Sequence, residues 1–145
     1  MLIDIHAKSS ISRDDNPSPR TVLERARDAQ LDGVAFCEHQ STVYSERILQ
    51  AADDLGVEAF VGVEIPTDTG LLLGFAPEID EFYHGEYWRR LTEVTVPSPQ
   101  AIVDMFRERG GAVVAARPYD RSVAHPMGDN VFEIDGLDAV EAANS

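Results

Sequence analysis

Short apolar runs alternate with amphipathic helical patterns along most of this 145-residue chain, and this alternation constrains the fold more than any other feature. Nearly continuous apolar runs are typical of strands covered on both faces, and their alternation with helices indicates a mostly parallel sheet. The predicted strands are Leu2–His6, Val34–Cys37, Ala59–Ile65, Leu71–Phe75, Ala112–Ala116 and Ala139–Ala142. We therefore predict the α/β class, with about six mostly parallel strands in a single domain covering residues 1–145.

Three helices are predicted between these strands, and two of them begin with the same pair of residues. Ser18-Pro19 and Ser98-Pro99 each supply a side-chain N-cap and a proline at the first helical position. The other helix runs from about Tyr44 to Leu55. Segment 78–95 mixes acids with aromatic residues and is predicted to be an insertion or a partly helical lid. Its aromatic residues either pack within the chain or contribute to an interface.

The charge balance and the apolar pattern exclude several functions. Asp and Glu outnumber Lys and Arg by 26 to 12, and the resulting net charge of −14 would repel the phosphates of a nucleic acid. No apolar stretch approaches the ~20 residues of a membrane span, and the N-terminus has no basic leader. We therefore expect a cytoplasmic protein that binds neither nucleic acid nor membrane. The single cysteine, Cys37, lies in an apolar run and is predicted to be buried rather than reactive.

Polar and charged residues stand at or just after the ends of five predicted strands. The carboxyl ends of strands form the ligand-binding edge of an α/β sheet, so these residues are the candidates for a site. They are His6, Glu38 with His39, Glu64, Arg117, and Glu141 with Asn144. Imidazoles and carboxylates are common ligands of divalent metals, and the joint placement of His6, His39 and Glu64 predicts a metal-binding cup.

Five segments, in order along the chain, resemble motifs of the polymerase-and-histidinol-phosphatase (PHP) family. They are Asp4-Ile5-His6-Ala7-Lys8-Ser9 (Asp-x-His-x-His-Ser in the family), Cys37-Glu38-His39-Gln40 (Thr-Asp-His-Asn), Gly62-Val63-Glu64 (Gly-x-Glu), Gly110-Gly111-Ala112-Val113-Val114-Ala115-Ala116-Arg117-Pro118 (Gly-Gly-apolar-Ala-His-Pro), and the late strand Ala139-Val140-Glu141. The resemblance implies a distorted (β/α) barrel, incomplete in this chain. It also implies hydrolysis of phosphoesters with two or three divalent metals, such as Mn, Zn or Fe.

The resemblance further implies roles for individual residues. His6 corresponds to a ligand of the first metal, Glu64 to a bridge between metals, His39 to a ligand of the third metal and Asp14 to the loop ligand that joins it. Asp4 and Glu38 would lie behind these ligands and orient them.

Two motif positions carry cations where the family has histidine. Lys8 replaces the second histidine of the opening motif and Arg117 the histidine before proline, while Leu71 stands where many small members have a further metal-binding histidine. No late Asp-x-His motif follows before Ser145. We therefore expect a degraded site with metals reduced in number or absent. Lys8 and Arg117 would pair with Asp4, Glu38 or Glu64 and supply part of the metals' charge, or would instead bind an anion.

Three functions remain open at this point. The chain could be a PHP-like domain with weak or no hydrolase activity, or an active metal-dependent phosphoesterase completed by a second chain. It could also be a non-catalytic phosphate-binding or assembly subunit. The expected ligand is a small phosphorylated molecule. Because a sixth strand with a free edge exposes unpaired backbone groups, we also expect a homo-oligomer or a partner that completes the barrel.

Overall fold

The computed structural model describes residues 1–39, 42, 45–78, 86–89 and 96–142, and the chain divides into two compact units, Met1–Val63 and Glu64–Ser145. Each of the six predicted strands is present: β1 (Ile3–Ala7), β2 (Gly33–His39), β3 (Glu58–Pro66), β4 (Leu71–Phe75), β5 (Ala112–Ala116) and β6 (Ala139–Val140). The helices are α1 (Pro19–Asp28), α2 (Ser45–Leu55), α3 (Glu86–Arg89) and α4 (Pro99–Glu108), with a 3-10 helix at Gly128–Glu133. The strands neighbour one another in chain order, so β1 and β6 are the edges of the described sheet. The assignment of residues 1–145 to one domain stays a prediction.

Both Ser-Pro pairs begin helices as the sequence predicts. The Ser18 side chain accepts a hydrogen bond from Thr21 N at 3.2 Å, and the Ser98 side chain accepts one from Ala101 N at 3.3 Å. Each side chain satisfies a backbone N–H that the first helical turn leaves without a carbonyl partner.

Within the first unit, β1 and β2 run parallel and their pairing contains a bulge. Asp4 lies opposite Val34 and Ala7 opposite Phe36, so β1 has one extra residue between these two pairs. A bulge of this kind bends a strand and re-aims its side chains, here in the stretch that contains His6.

The core of the first unit lies between this part of the sheet and the helices α1 and α2. Leu23, Phe36 and Ile48 are fully or almost fully buried there. Cys37 is also fully buried, and its thiol donates a hydrogen bond to Ile5 O at 3.4 Å. The prediction of a buried strand cysteine is confirmed.

Within the second unit, the strands combine both directions. β4 runs antiparallel to β5, with Leu71 opposite Ala116, whereas β5 and β6 are parallel. The connection between β3 and β4 is only four residues long and is closed by a hydrogen bond from Thr67 N to Gly70 O at 2.9 Å. Parallel neighbours need a crossover of about a dozen residues or more, so a connection this short favours an antiparallel turn.

The core of the second unit is centred on Phe106 of α4. Its ring fits over Gly74 of β4, where an added Cβ atom would lie 2.3 Å from the ring. Trp88 of α3 is buried and meets Phe106 edge to face, with ring centroids 6.0 Å apart. Residues 86–89 of segment 78–95 are therefore helical and pack within their own unit, and residues 79–85 and 90–95 lie outside the described residues. None of the described helices combines the length and apolarity needed to cross a membrane.

Candidate functional site

In the first unit, the carboxyl ends of β1 and β2 bring Lys8 beside His39. Lys8 Nζ lies 2.7 Å from His39 Nε2. An ammonium group has no lone pair, so Lys8 donates and Nε2 accepts, which assigns the ring proton to Nδ1. A metal ion at Nε2 would therefore have to displace the ammonium group.

Glu38 is buried next to His39 in β2, and its carboxylate ties the loop after β1 to that strand. Oε1 accepts hydrogen bonds from Ser9 N at 2.9 Å and Ser9 Oγ at 2.6 Å, and Oε2 accepts one from Ser12 Oγ. Ser12 Oγ in turn accepts a hydrogen bond from His39 N at 3.1 Å. Because Glu38 is only 2% exposed, these donors replace the water that its charge would otherwise need.

Three further residues of the predicted site lie in or after β1. Asp4 Oδ1 accepts a hydrogen bond from His6 N at 3.0 Å, so Asp4 contacts the backbone of the residue that it was expected to orient. The His6 side chain is half-buried, and Asp14 is exposed in a turn. Their parts in metal binding stay predictions.

In the second unit, the ends of β3, β5 and β6 converge on Arg117. Nη2 lies 3.6 Å from Glu64 Oε2 and Nη1 lies 3.4 Å from Asp120 Oδ2, while the backbone N donates to Glu141 Oε2 at 3.1 Å. The Glu64 side chain is 7% exposed, and a carboxylate buried to this degree needs a charged or hydrogen-bonding partner. The predicted pairing of Arg117 with Glu64 is present in the structure.

The backbone of Arg117 is strained, and its neighbours hold it in place. Its φ of +43° lies in the left-handed region, which residues other than glycine rarely adopt. Asp120 fixes the turn that follows, since its backbone N donates to Arg117 O at 3.0 Å and its Oδ1 accepts from Ser122 N at 2.8 Å. The hydrogen bonds from Ser122, backbone first, lower the pKa of Asp120, and the charge of Arg117 lowers it further.

Arg117 lies between two clefts of the second unit that differ in charge. The larger cleft, about 430 Å³, contains the carboxylates of Asp120 and Glu141. The smaller cleft, about 320 Å³, is lined by the β3–β4 turn and the loop after β5, and its polar lining includes His125. Its described lining contains no carboxylate. Neither His125 nor Asp120 belongs to one of the five motifs identified in the sequence.

The arrangement of the described residues does not fit a divalent metal. In residues 1–39, 42, 45–78, 86–89 and 96–142, no three His, Cys, Asp or Glu side chains are grouped closely enough to hold one. Two of the four predicted ligands, His39 and Glu64, contact Lys8 and Arg117 respectively. A metal ion at His39 Nε2 or Glu64 Oε2 would therefore lie next to a resident cation.

Comparison with curated protein sequences gives a relative that covers most of the chain. No family model matches the chain. A curated protein of Methanocaldococcus jannaschii, itself uncharacterized, is 28% identical over 127 residues. These residues cover 88% of this chain and 66% of the relative, so the chain spans just under two thirds of the relative's length.

Comparison with solved structures gives the fold. A candidate metal-dependent phosphoesterase of Bifidobacterium adolescentis has a TM-score of 0.73 at 20% identity, covering 97% of this chain and 77% of its own. An amidohydrolase of Chromobacterium violaceum, with bound sulfate and no metal, has a TM-score of 0.67 at 16% identity, covering 97% and 76%. A two-domain protein of Bacteroides vulgatus that contains a PHP-like phosphoesterase region has a TM-score of 0.64 at 16% identity, covering 99% and 44%. The chain therefore has the α/β fold of PHP-like metal-dependent phosphoesterases, as its motifs predict.

Proposed function

We propose that this chain is a divergent PHP-like domain with a degraded metal site and weak or no hydrolase activity, in which Lys8 and Arg117 supply charge that metals would otherwise provide. One observation carries the proposal. Each of the two cations at histidine positions contacts a residue that the resemblance assigns to a metal. Lys8 contacts His39 in the first unit, and Arg117 contacts Glu64 in the second.

A resident cation can take over only part of a metal's chemistry. A guanidinium neutralises one negative charge and donates hydrogen bonds to an oxyanion, so Arg117 can stabilise Glu64 and attract a phosphate. A divalent metal carries two charges and also acidifies bound water until hydroxide forms near neutral pH. Arg117 supplies no such nucleophile, so we expect weak or no hydrolysis.

A second candidate function, non-catalytic binding of a small phosphorylated molecule, is favoured by the placement of Arg117. Its planar fork lies at the carboxyl end of β5 and lines a cleft in which none of the described lining residues is a carboxylate. The amidohydrolase of Chromobacterium violaceum holds a sulfate without metal in a similar fold, which supports oxyanion binding in the present chain. An oligomer or a partner that pairs with the edges β1 and β6 stays a prediction, as does cytoplasmic localisation.

Metal content tests the first proposal. Protein purified without chelator is incubated with Mn, Zn or Fe, desalted, and measured by inductively coupled plasma mass spectrometry together with phosphodiesterase activity. We expect less than one tightly held equivalent per chain. The variants Arg117→His and Lys8→His, which place imidazole at the motif positions, should raise the metal content, and Arg27→His, at an exposed arginine of α1, should not. About two or more equivalents in the wild-type protein would refute the degraded site.

A further inference from the structure

We propose that Phe132 of one copy of this chain inserts into a groove beside α1 and β1 of a second copy, so that the protein associates with itself through this contact. The inference is independent of the proposed function, because it invokes neither metal binding nor anion binding. It gives the predicted homo-oligomer a specific contact, distinct from pairing of the strand edges.

The groove lies in the first unit, between α1 and β1, and β1 is an edge strand of the described sheet. Its volume is about 390 Å³, and most of the residues that line it are apolar. The apolar residues are Ala7, Val22, Ala26, Ala29, Leu31 and Val34. Because an alanine side chain ends at a methyl group, the groove has room for a larger apolar side chain. Its size falls in the lower part of the roughly 300–1,000 Å³ range of pockets that enclose a small molecule, which suits a phenyl ring.

Phe132 follows a buried residue of the 3-10 helix and points its ring to solvent. It is 79% exposed, the highest value among the described aromatic residues. A phenylalanine gains free energy when its ring leaves water, and buried aromatic residues account for much of the binding energy of protein interfaces. An aromatic ring exposed to this degree is therefore a candidate anchor for a partner.

The segment that carries Phe132 is fixed by contacts within its own unit. Met127 and Val131, which precede the ring, are buried. The side chain of Gln100 holds the backbone that follows, since Asp135 N donates to its Oε1 at 2.9 Å and its Nε2 donates to Asp135 O at 3.0 Å. The ring is thus presented from an ordered backbone, which lowers the entropic cost of docking.

Charge complementarity identifies a second copy as the occupant of the groove. Two cations, Lys8 and Arg25, line the groove with one carboxylate, Asp4, whereas residues 129–135 carry three carboxylates and no cation. Each copy has a net charge of −14, so two copies repel unless the surfaces that meet differ in charge. The groove is a locally cationic surface on an acidic chain, and the acidic segment around Phe132 complements it.

Sedimentation velocity of the full chain, from micromolar to millimolar concentration, tests whether the protein associates. We expect species heavier than the 15.9 kDa monomer. Phe132→Ser should weaken association about tenfold to a hundredfold, the effect of one buried aromatic side chain. Arg25→Glu places a like charge against the acidic segment and should weaken association about tenfold or more. The matched controls Leu49→Ser and Arg27→Glu change exposed residues that do not line the groove, and both should stay within about twofold of the wild type.

Mixing the two variants locates the contact by NMR. Phe132→Ser keeps an intact groove and Arg25→Glu keeps an intact ring, so unlabelled Arg25→Glu added to ¹⁵N-labelled Phe132→Ser should shift the amide signals of positions 7, 22, 26 and 29. With the label on Arg25→Glu instead, the shift changes should fall at residues 129–135. Unlabelled Phe132→Ser added to labelled Phe132→Ser should cause neither set of changes, because both copies lack the ring.

Three results would overturn the inference: the mass of a single chain at every concentration, equal association of the wild type and Phe132→Ser, or no shift changes in the groove of the mixed sample. Shift changes centred on Ala139 and Val140 would instead indicate strand pairing at β6 and would also contradict the proposed contact. Phe132 and Arg25 are exposed, so their substitutions should preserve the rest of the spectrum. None of these results depends on metal content, which tests the proposed function separately.

Discussion

Exchange of Glu38 for glutamine probes how the loop after β1 is held to the first unit. Glu38→Gln keeps the size of the side chain and one carbonyl-type oxygen that can still accept from Ser9 N and Ser9 Oγ. It replaces the other oxygen by an NH₂ group, which points a donor at the Ser12 hydroxyl. Since Ser12 Oγ already accepts from His39 N at 3.1 Å, the loss of its acceptor disturbs both ends of that link.

The expected cost follows from the hydrogen bonds that change. A bond to a charged group contributes about 1.5–3 kcal/mol and a neutral one about 0.5–1.5 kcal/mol, so the two bonds from Ser9 each weaken by about 1 kcal/mol and the bond from Ser12 is lost. Burying a neutral glutamine costs less desolvation free energy than burying a carboxylate, and this difference offsets part of the lost hydrogen-bond energy. We expect the free energy of opening of the loop and β2 to fall by about 2–4 kcal/mol.

Amide hydrogen exchange measures this change at the residues concerned. Every 1.4 kcal/mol is tenfold, so the amides of Ser9 and His39 should exchange about 30- to 1,000-fold faster in Glu38→Gln. Val113 N, which donates to Asp138 Oδ2 at 2.8 Å in the second unit, serves as an internal reference and should change less. Glu24→Gln is the matched control, because Glu24 forms an exposed ion pair with Arg20 that is worth at most about 1 kcal/mol.

An unchanged or higher opening free energy in Glu38→Gln would refute the idea that the Glu38 carboxylate holds the loop. If opening of the first unit costs as much in Glu38→Gln as in the wild type, or more, the desolvation penalty of the carboxylate outweighs its three hydrogen bonds. The loop would then be held by its other contacts, such as the bond from Asn16 Nδ2 to Ser9 O at 3.2 Å.

Two further predictions concern the second unit. Gly74→Ala should lower the free energy of unfolding by about 1–3 kcal/mol, because the new methyl group would lie 2.3 Å from the fully buried ring of Phe106. Trp88, which contacts that ring, reports unfolding in urea through its fluorescence. An unchanged urea concentration at the midpoint of unfolding would contradict this prediction. Asp120 has a folded-state pKa below its ordinary value of 3.8, so its carboxylate stabilises the fold above that value and loses this effect as pH falls through the lowered pKa. Asp120→Asn should therefore be less stable than the wild type at neutral pH and approach it in acid, as thermal unfolding across pH would show; a gap independent of pH would rule out this linkage.

The strands were the most predictable part of the fold, for reasons visible in two of them. β4 and β5 lie where the apolar runs Leu71–Phe75 and Ala112–Ala116 place them, because both runs are buried and end at turn residues. β2 continues to His39, two residues beyond its apolar run. A polar residue usually marks the end of a buried strand, but the carboxylate of Glu38 stays inside because Ser9 and Ser12 donate to it.

The contacts of the site were less predictable than its members. Residue patterns locate a side chain at a strand end but do not identify its neighbour on the next strand, so the pairing of Arg117 with Glu64 was one of several options. Lys8 contacts the ring of His39, a neighbour that the residue pattern did not identify, and Glu38 accepts from Ser9. The pairing of Lys8 with a carboxylate stays a prediction. Asp120 lay outside every motif, and its only local signal is an aspartate two residues before Ser122, a spacing typical of a side-chain-capped turn.

The two cations contact groups of different chemistry. Lys8 lies within hydrogen-bond distance of the imidazole of His39. Arg117 contacts Glu64, whose side chain is 7% exposed, and removing a charged partner of such a carboxylate costs several kcal/mol unless another cation arrives. A metal ion is such a cation, so Arg117→His should gain stability from added Mn in proportion to its occupancy, whereas the wild type, with its guanidinium in place, should not. Under the proposed function, the arginine at position 117, where the family has histidine, therefore makes the stability of the second unit independent of metal.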